Sequence, residues 1–229
     1  GMGHTAENLA KEHSISREEQ EKMALESHKK AAKAHNENKF NDEIISINGI
    51  SRDGCVRPET SIESMAKLKP AFDKEGLVTA ATSSPLTDGA AAVIVCSEDY
   101  AKKNNLGIMA YIRGMAISGC SPEIMGIGPV LSSQKALQRA GIKLEDVDII
   151  EMNEAFAAQS LACIKELGID MSKLNLHGGA ISMGHPLGAS GARITGKAAS
   201  LLNETGKRYA LSTMCVGGGQ GCATVLERA

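Results

Sequence analysis

The chain has 229 residues, of which 42% are hydrophobic and 23% charged, and its formal net charge is -2. This composition is typical of a globular protein with one large domain or two small ones. The low charge and the 3% aromatic content argue against a nucleic-acid-binding surface. No apolar run approaches the ~20 residues of a membrane span, and no signal peptide opens the chain.

The first predicted element is a helical region over residues 3–36. Ser16 and Glu19 form a capping-box pattern within it, and four apolar residues then recur at helical spacing: Met23, Ala24, Ala31 and Ala34. Residues 40–76 are rich in turn residues. Within them the sequence predicts a strand at Ile44–Ile47 and a short periodic stretch at Ser64–Phe72 that ends near Pro70.

From residue 86 onward the pattern alternates between apolar runs and amphipathic stretches. Val93–Val95 is predicted as a buried strand, followed by a charged helix. The remaining predicted elements are a strand at 108–118, a helix at Ser132–Ala140 stopped by Gly141, a strand at Asp148–Met152, helices at Glu154–Leu167 and Ala192–Leu202, and strands at Tyr209–Met214 and Cys222–Glu227. This β-α-β-α-α-β-β order predicts a layered α/β domain from about residue 108 to the end.

His185 is the first candidate functional residue. A lone histidine is more often structural, but here Gly184, Pro186, Gly188 and Gly191 surround it. The backbone can therefore turn tightly and approach a ligand closely, and a helix begins just afterwards. This pattern favours an imidazole that polarises a thioester oxygen or activates a nucleophile.

Cys215 is the second candidate, because it ends an apolar strand and precedes three glycines at 217–219. Such a cysteine is usually a small core residue. Bare backbone amides after it, however, suit an oxyanion hole, and the thiol can act as an acid or base. Asn153, directly after a buried strand, is either a helix N-cap or an amide that holds a water or substrate oxygen. Ser84 and Leu86 lie in a loop that composition alone predicts to be a plain turn.

The six cysteines are scattered and form no CxxC pair. They are interpreted as reduced thiols in a cytoplasmic protein. No two Cys or His residues have the spacing of zinc ligands, so no metal site is expected.

Six segments together carry a family resemblance. They are MGHTAENLA at 2–10, SMAKLKPAF at 64–72, LTDGAAA at 86–92, NEAFAAQ at 153–159, GGAISMGHPLGASGARI at 178–194 and CVGGGQG at 215–221. In this order and spacing they resemble the C-terminal signature blocks of thiolases, over the whole length of the chain.

The resemblance implies a thiolase-like layered α/β fold: a C-terminal βαβαβαββ domain plus a remnant of the loop domain. The implied divisions are residues 1–85 for the remainder of the loop domain, 86–107 for the end of the N-terminal-half domain and 108–229 for the C-terminal domain. Thiolases form dimers or tetramers, so a homo-oligomer of the full-length enzyme is implied.

The implied function is Claisen chemistry on CoA thioesters in fatty acid metabolism, with CoA or acetyl-CoA as a substrate and no permanently bound cofactor. His185 would line the first oxyanion hole and Asn153 would hold its water. Cys215 would exchange a proton at the α-carbon of acetyl-CoA, and the Gly217 amide would contribute to the second oxyanion hole. Eight positions match residues that contact CoA or line its tunnel: Met2, Arg57, Ser64, Ala80, Ser84, Leu86, Met125 and Phe156.

One departure from the family bears on activity. A thiolase has its nucleophilic cysteine in an N-terminal half, and none of the other five cysteines here stands in such a context. We therefore expect this chain to supply the oxyanion-hole and acid/base residues without the nucleophile, and to be inactive alone.

Three other functional hypotheses are compatible with the sequence. The first is a non-catalytic CoA-binding or assembly subunit that pairs with a separate N-terminal-half protein. The second is a cysteine hydrolase in which Cys215 and His185 form a dyad. The third, a dinucleotide site at GASGAR, is the weakest because the glycine spacing is wrong.

Overall fold

The computed structural model of the protein describes residues 1–229. Four helices precede the sheet: α1 Met2–Glu12, α2 Arg17–Asn36, α3 Ile62–Met65 and α4 Glu98–Lys103. The remaining elements are, in chain order, β1 Ala110–Gly119, α5 Gly128–Ala140, β2 Ile149–Met152, α6 Ala157–Leu167, α7 Ala180–Met183, α8 Leu187–Thr205, β3 Tyr209–Val216 and β4 Gln220–Arg228. Short 3₁₀ segments lie at Ala80–Thr82, Pro122–Ile127, Leu144–Asp146 and Met171–Lys173.

A four-stranded mixed sheet in the order β1-β4-β3-β2 organises the second half of the chain. β4 pairs antiparallel with both β1 and β3, whereas β2 and β3 are parallel. A further strand next to β2 is reduced to one parallel bridge between Ile150 and Leu174. The predicted order β-α-β-α-α-β-β is thus confirmed, with α7 added before α8.

Helices cover both faces of the sheet at β2 and β3, where consecutive residues are buried. On one face, α5 packs against the strands, and α6 with α2 behind it completes the largest apolar cluster, which includes Met23, Leu137, Ile164 and Leu211. On the other face α8 packs on β2, β3 and β4 through Ala198, Leu201 and Leu202. The layered α/β architecture predicted for this part of the chain is confirmed.

The N-terminal helical region is divided into two helices. Ser16 caps α2 with the expected capping box, in which Ser16 Oγ accepts from Glu19 N and a Glu19 carboxylate oxygen accepts from Ser16 N at 2.7 Å. The four apolar residues predicted to face the core are all buried. The helical region predicted over 3–36 is interrupted only at residues 13–16, just before the helix that Ser16 caps, and Ser14 there has a positive φ of 49°.

Two strand predictions are wrong. Ile44–Ile47 forms no strand, and Ile47 is joined to Ile50 only by a bridge across Asn48 and Gly49, which both have positive φ. Val93–Val95 also forms no strand, and Ile94 is 86% exposed. An apolar β-branched run becomes a strand only when a neighbouring strand offers hydrogen-bond partners, and the sheet places none beside this run.

Several predicted boundaries shift. Ser64–Phe72 contributes only the end of α3, because the chain leaves the helix after Met65. α6 begins at Ala157 rather than Glu154, and α8 begins at Leu187 rather than Ala192. Gly141 ends α5 with a φ of 70°, as predicted. No helix is both long enough and apolar enough to cross a membrane.

Candidate active site

The structure brings Asn153 and His185 into direct contact although 32 residues separate them. Asn153 follows β2, and Asn153 Nδ2 lies 3.3 Å from His185 Nε2. The Asn153 backbone N–H donates to Thr213 O at 3.0 Å, which attaches the residue to β3 two positions before Cys215. Asn153 is not a helix N-cap, since Phe156 has that position in α6.

The second ring nitrogen of His185 is also engaged. Its Nδ1 lies 2.6 Å from Ser190 Oγ, and Ser190 Oγ donates to Pro186 O at 3.3 Å. In this arrangement Nδ1–H donates to Ser190 and Nε2 accepts from the Asn153 amide. The alternative tautomer, with the proton on Nε2, fits equally well if the Asn153 amide is flipped and the Ser190 hydroxyl is rotated. Nε2–H then donates to Asn153 Oδ1, an atom that otherwise has no partner.

A tight turn presents the imidazole to this contact. Gly184 has a φ of 98°, and a Cβ added there would lie 2.6 Å from the Thr87 side chain. Both the conformation and the space therefore require glycine. The His185 N–H donates to Thr87 Oγ1 at 2.9 Å, so the 87–89 segment holds the turn against the start of α8.

The His185 imidazole is half-buried, and burial lowers its pKa, with a smaller contribution from the positive charge of Arg193. The imidazole is consequently neutral near pH 7 and can donate or accept a hydrogen bond without a net charge of its own. Asn153, His185 and Ser190 are called the polar wall below.

Cys215 lies in a different environment at the end of β3. It is 5% exposed and belongs to an apolar cluster that includes Met125, Phe156 and Leu9. Burial raises the pKa of its thiol to about 12, so that the sulfur keeps its proton at neutral pH. Cys215, Met125 and Phe156 are called the apolar wall below.

The glycine loop that follows Cys215 leaves its amides free. None of the N–H groups of residues 217–219 donates a hydrogen bond within the chain, and Gly218 and Gly219 both have positive φ, 92° and 93°. A Cβ on Gly217 would lie 3.9 Å from Met2 Sδ, so the start of α1 is next to this loop. Free, fixed amides of this kind can bind a carbonyl oxygen or an oxyanion.

Two family models match the chain. The model described as "Thiolase, C-terminal domain" matches residues 106–228, and the one described as "Thiolase, N-terminal domain" matches residues 1–99. The chain belongs to the thiolase family. The thiolase-like fold expected from the sequence is thereby confirmed.

Individual thiolases agree with this assignment. The 3-ketoacyl-CoA thiolase of Vibrio vulnificus (strain CMCP6) is 51% identical over 240 residues, which cover 99% of this chain and 62% of that protein. The 3-ketoacyl-CoA thiolase of Shewanella loihica is 52% identical and is also covered over 62% of its length. The chain therefore spans about three fifths of the length of these relatives.

Solved thiolase structures superimpose closely on this one. The human mitochondrial 3-ketoacyl-CoA thiolase in complex with CoA has a TM-score of 0.95 at 46% identity, with 100% of this chain and 59% of that chain covered. The Bacillus anthracis acetyl-CoA acetyltransferase also has a TM-score of 0.95, at 42% identity, with 100% of this chain and 60% of that chain covered.

The eight positions expected to contact CoA divide into two groups in this thiolase chain. Met2, Met125 and Phe156 lie beside Cys215 or Gly217, and Ser84 joins them because its N and Oγ both donate to Ala155 O at 3.0 Å. The remaining four are exposed and have no hydrogen bond or buried apolar contact with the two walls: Arg57, Ser64, Ala80 and Leu86.

Three residues that support the site were not singled out from the sequence. Ser190 and Thr87 bond directly to His185, and Glu154 is 3% exposed next to Asn153. The sequence contained a signal for Glu154, because an acidic residue within the apolar run between β2 and α6 indicates a buried, hydrogen-bonded carboxylate. The contact of Thr87 with His185 spans 98 residues and has no local signal.

Two alternative readings disagree with the geometry. A Cys215–His185 dyad is not supported, because no hydrogen bond joins the two side chains and burial raises the Cys215 pKa rather than lowering it. The GASGAR segment lies inside α8 and not on a strand-to-helix turn, so the dinucleotide reading is also wrong. No group of three or more His, Cys, Asp or Glu residues is arranged to hold a metal ion.

Proposed function

We propose that this chain is the oxyanion-binding and acid/base part of an acyl-CoA C-acyltransferase, which makes or cleaves a 3-ketoacyl-CoA by Claisen chemistry. The observation that carries the proposal is the Asn153–His185 contact of 3.3 Å, attached to β3 two residues before Cys215. It gives a neutral polar pair and a protonated thiol on adjacent parts of one site.

The polar wall suits the stabilisation of a thioester oxygen. As negative charge develops on that oxygen, an Nε2–H of His185 and a water held by the Asn153 amide can donate to it. Because the imidazole is fixed by Ser190 before the reaction, little reorganisation is needed at that moment. The free amide of Gly217 offers a donor for a second oxygen.

The apolar wall suits proton transfer at carbon. When a 3-ketoacyl-CoA is cleaved, the electron pair of the broken bond remains on the α-carbon of the departing acetyl-CoA. The Cys215 thiol, whose pKa burial raises to about 12, holds the proton that this carbon needs. In the reverse direction the thiolate removes the same proton.

CoA contacts are proposed at all eight expected positions, with Met2, Met125, Phe156 and Ser84 forming the inner part of the tunnel. The proposed divisions of the chain stay at residues 1–85, 86–107 and 108–229. A cytoplasmic enzyme of fatty acid metabolism that forms a homo-oligomer is the setting that we propose, with CoA as a substrate and not as a permanently bound cofactor.

We further propose that the nucleophilic cysteine lies outside residues 1–229. Of the six cysteines, Cys163 is fully buried, and burial raises its pKa strongly, which makes it a poor nucleophile. The 229-residue chain alone should therefore bind CoA thioesters without turning them over.

The test combines calorimetry with a thiolysis assay on the purified 229-residue chain. Measurable binding of CoA and acetyl-CoA, with no loss of acetoacetyl-CoA absorbance when CoA is added, is the expected result. Chain that binds neither compound contradicts the CoA proposal. Turnover that disappears in Cys215→Ala but persists in Cys96→Ala, without a second protein, contradicts the proposal about the nucleophile.

A second candidate is a non-catalytic CoA-binding or assembly subunit that pairs with a separate protein carrying the nucleophile. The exposed apolar run at Val93–Val95 favours it, because an exposed apolar surface of this kind often marks an interface with another protein. Co-purification of a stoichiometric partner that carries the reactive cysteine, with no activity change in Cys215→Ala, would favour this candidate over the first.

A further inference from the structure

Glu154 links two separate segments of the site through one buried carboxylate. Its side chain accepts hydrogen bonds from Ser27 Oγ at 2.6 Å, Asn175 Nδ2 at 2.7 Å and Ile181 N at 3.2 Å. No cation lies within ion-pair distance of it. Three short, directional bonds to neutral donors therefore stabilise a carboxylate that is 3% exposed.

Asn175 holds the Asn153 side of this link. Its side-chain Oδ1 accepts from Met152 N and its Nδ2 donates to Met152 O, both at 2.9 Å, so the side chain pairs with the residue just before Asn153 as a neighbouring strand would. The Asn175 N–H also donates to Ile150 O at 2.8 Å. Its φ of 43° is left-handed, a conformation that asparagine tolerates better than most residues.

The other side of the link leads to His185. Ile181 lies in α7, and Gly184 N donates to Ala180 O at 2.8 Å, so α7 runs directly into the turn that presents the imidazole. Gly179 passes so close to the carboxylate that an added Cβ would lie 2.2 Å from Glu154 Cδ. Ser27 Oγ joins Glu154 to the segment before α7, since it donates to the Glu154 carboxylate and also accepts from Gly179 N at 3.0 Å.

Glu154 and Asn175 thus contact both segments of the polar wall without touching the reacting atoms. We propose that Glu154 and Asn175 are positioning residues that hold Asn153 against His185, an inference that rests on the proposed function for its catalytic meaning. Without the carboxylate, the segment after β2 and the segment before α8 lose their shared anchor. The Asn153–His185 contact then loosens, and the oxyanion hole with it.

The substitution Glu154→Gln tests this in the 229-residue chain. The glutamine amide keeps the shape but replaces one acceptor oxygen by a donor NH₂, which faces donors on every side. The readout is the nuclear Overhauser effect between the Asn153 side-chain amide and the His185 ring protons in ¹⁵N-labelled protein. We expect it in the unmodified chain and expect its loss in Glu154→Gln.

Glu21→Gln is the matched control. Glu21 is 4% exposed in α2, two turns before Ser27, and it pairs with Arg17 at 2.7 Å. The same chemical change therefore removes a buried carboxylate away from the site. Its Asn153–His185 signal should remain even if its melting temperature falls. An equal loss of the signal in both variants, or retention in Glu154→Gln, would overturn the inference.

A second readout separates positioning from general damage. Glu154→Gln should lower the preference for acetyl-CoA over CoA by about fivefold, the effect of one net hydrogen bond, with CoA affinity unchanged. An equal loss of both affinities would indicate general damage and overturn the inference. If Glu154→Gln does not fold, Ser27→Ala removes a single donor and should weaken the amide-to-ring signal. An unchanged signal there would also overturn it.

Failure of the proposed function is recognised separately. Unmodified chain that binds neither CoA nor acetyl-CoA contradicts the proposed function, whereas the amide-to-ring signal still reports whether Glu154 positions Asn153.

Discussion

The two walls of the site are held in place by different forces. The polar wall depends on directional hydrogen bonds, each of which requires a particular atom at about 3 Å. The apolar wall depends on close packing, in which Met125 and Phe156 keep water away from the Cys215 thiol. The comparison shows that orienting a hydrogen-bond donor and keeping a thiol protonated require opposite environments, which this thiolase chain builds side by side.

The largest expected effect concerns the apolar wall. Raising the Cys215 pKa from 9.0 to about 12 lowers its thiolate fraction at pH 8 about a thousandfold. Iodoacetamide should therefore alkylate Cys215 at least that much more slowly than an exposed thiol of ordinary pKa. Time-resolved mass spectrometry of alkylated peptides measures the rate.

Exposed Cys96 serves as the internal control in the same sample. Met125→Ala, which opens the apolar wall, should accelerate alkylation of Cys215 and leave that of Cys96 unchanged. Equal rates at the two cysteines in the unmodified chain would mean that packing does not protect the thiol.

The next effect concerns Glu151, which lies on β2 two residues before Asn153. Glu151 is buried like Glu154, with 1% exposed, but its carboxylate has no hydrogen-bond partner. Burial raises its pKa to about 7, although the positive charges of Arg193 and Lys197 lower it in part. Below pH ~4.5 both folded and unfolded states are protonated, so no stability is lost. Stability falls as pH rises from 4.5 to about 7, and the loss persists above that range.

Glu151→Gln removes this loss. The variant should be more stable than the unmodified chain by about 3 kcal/mol at pH 8 and by much less at pH 4. Urea denaturation at both pH values measures the difference in the free energy of unfolding. A difference that does not change with pH would show that Glu151 is not the titrating group.

The smallest effect concerns Ser190, which orients the imidazole. Ser190→Ala leaves His185 Nδ1 without its partner and should lower the free energy of unfolding by about 1 kcal/mol. It should also change the tautomer balance, which the ¹⁵N shifts of the ring nitrogens report.

Ser172→Ala is the matched control for Ser190→Ala, because Ser172 is exposed and its hydroxyl bonds only to the exposed Asp170 carboxylate, outside the polar wall. Its effect should stay below about 0.5 kcal/mol. Identical ring-nitrogen shifts in Ser190→Ala and the unmodified chain would mean that the hydroxyl does not select the tautomer.

Local sequence patterns correctly predicted the features whose hydrogen bonds and backbone conformation involve only neighbouring residues. The Ser16–Glu19 capping box and the Gly141 stop need only neighbouring residues, and both are confirmed. The strand predicted at Val93–Val95 is wrong because a strand requires a partner that the sequence pattern does not reveal. The strand predicted at β2 forms because its partner β3 is present. The same distinction explains why Ile45 and Ile47 remain exposed.

The sequence by itself determined the family and the order of elements in the sheet domain, and it predicted Asn153, His185 and Cys215 as site residues, because the motifs that carry these inferences are local. Only the tertiary structure decided that Asn153 meets His185, that Thr87 and Glu154 support this contact, and that Cys215 is packed among apolar side chains. These relations join residues up to 127 positions apart along the chain or depend on packing among separate elements. They exist only once the helices and the sheet have packed together.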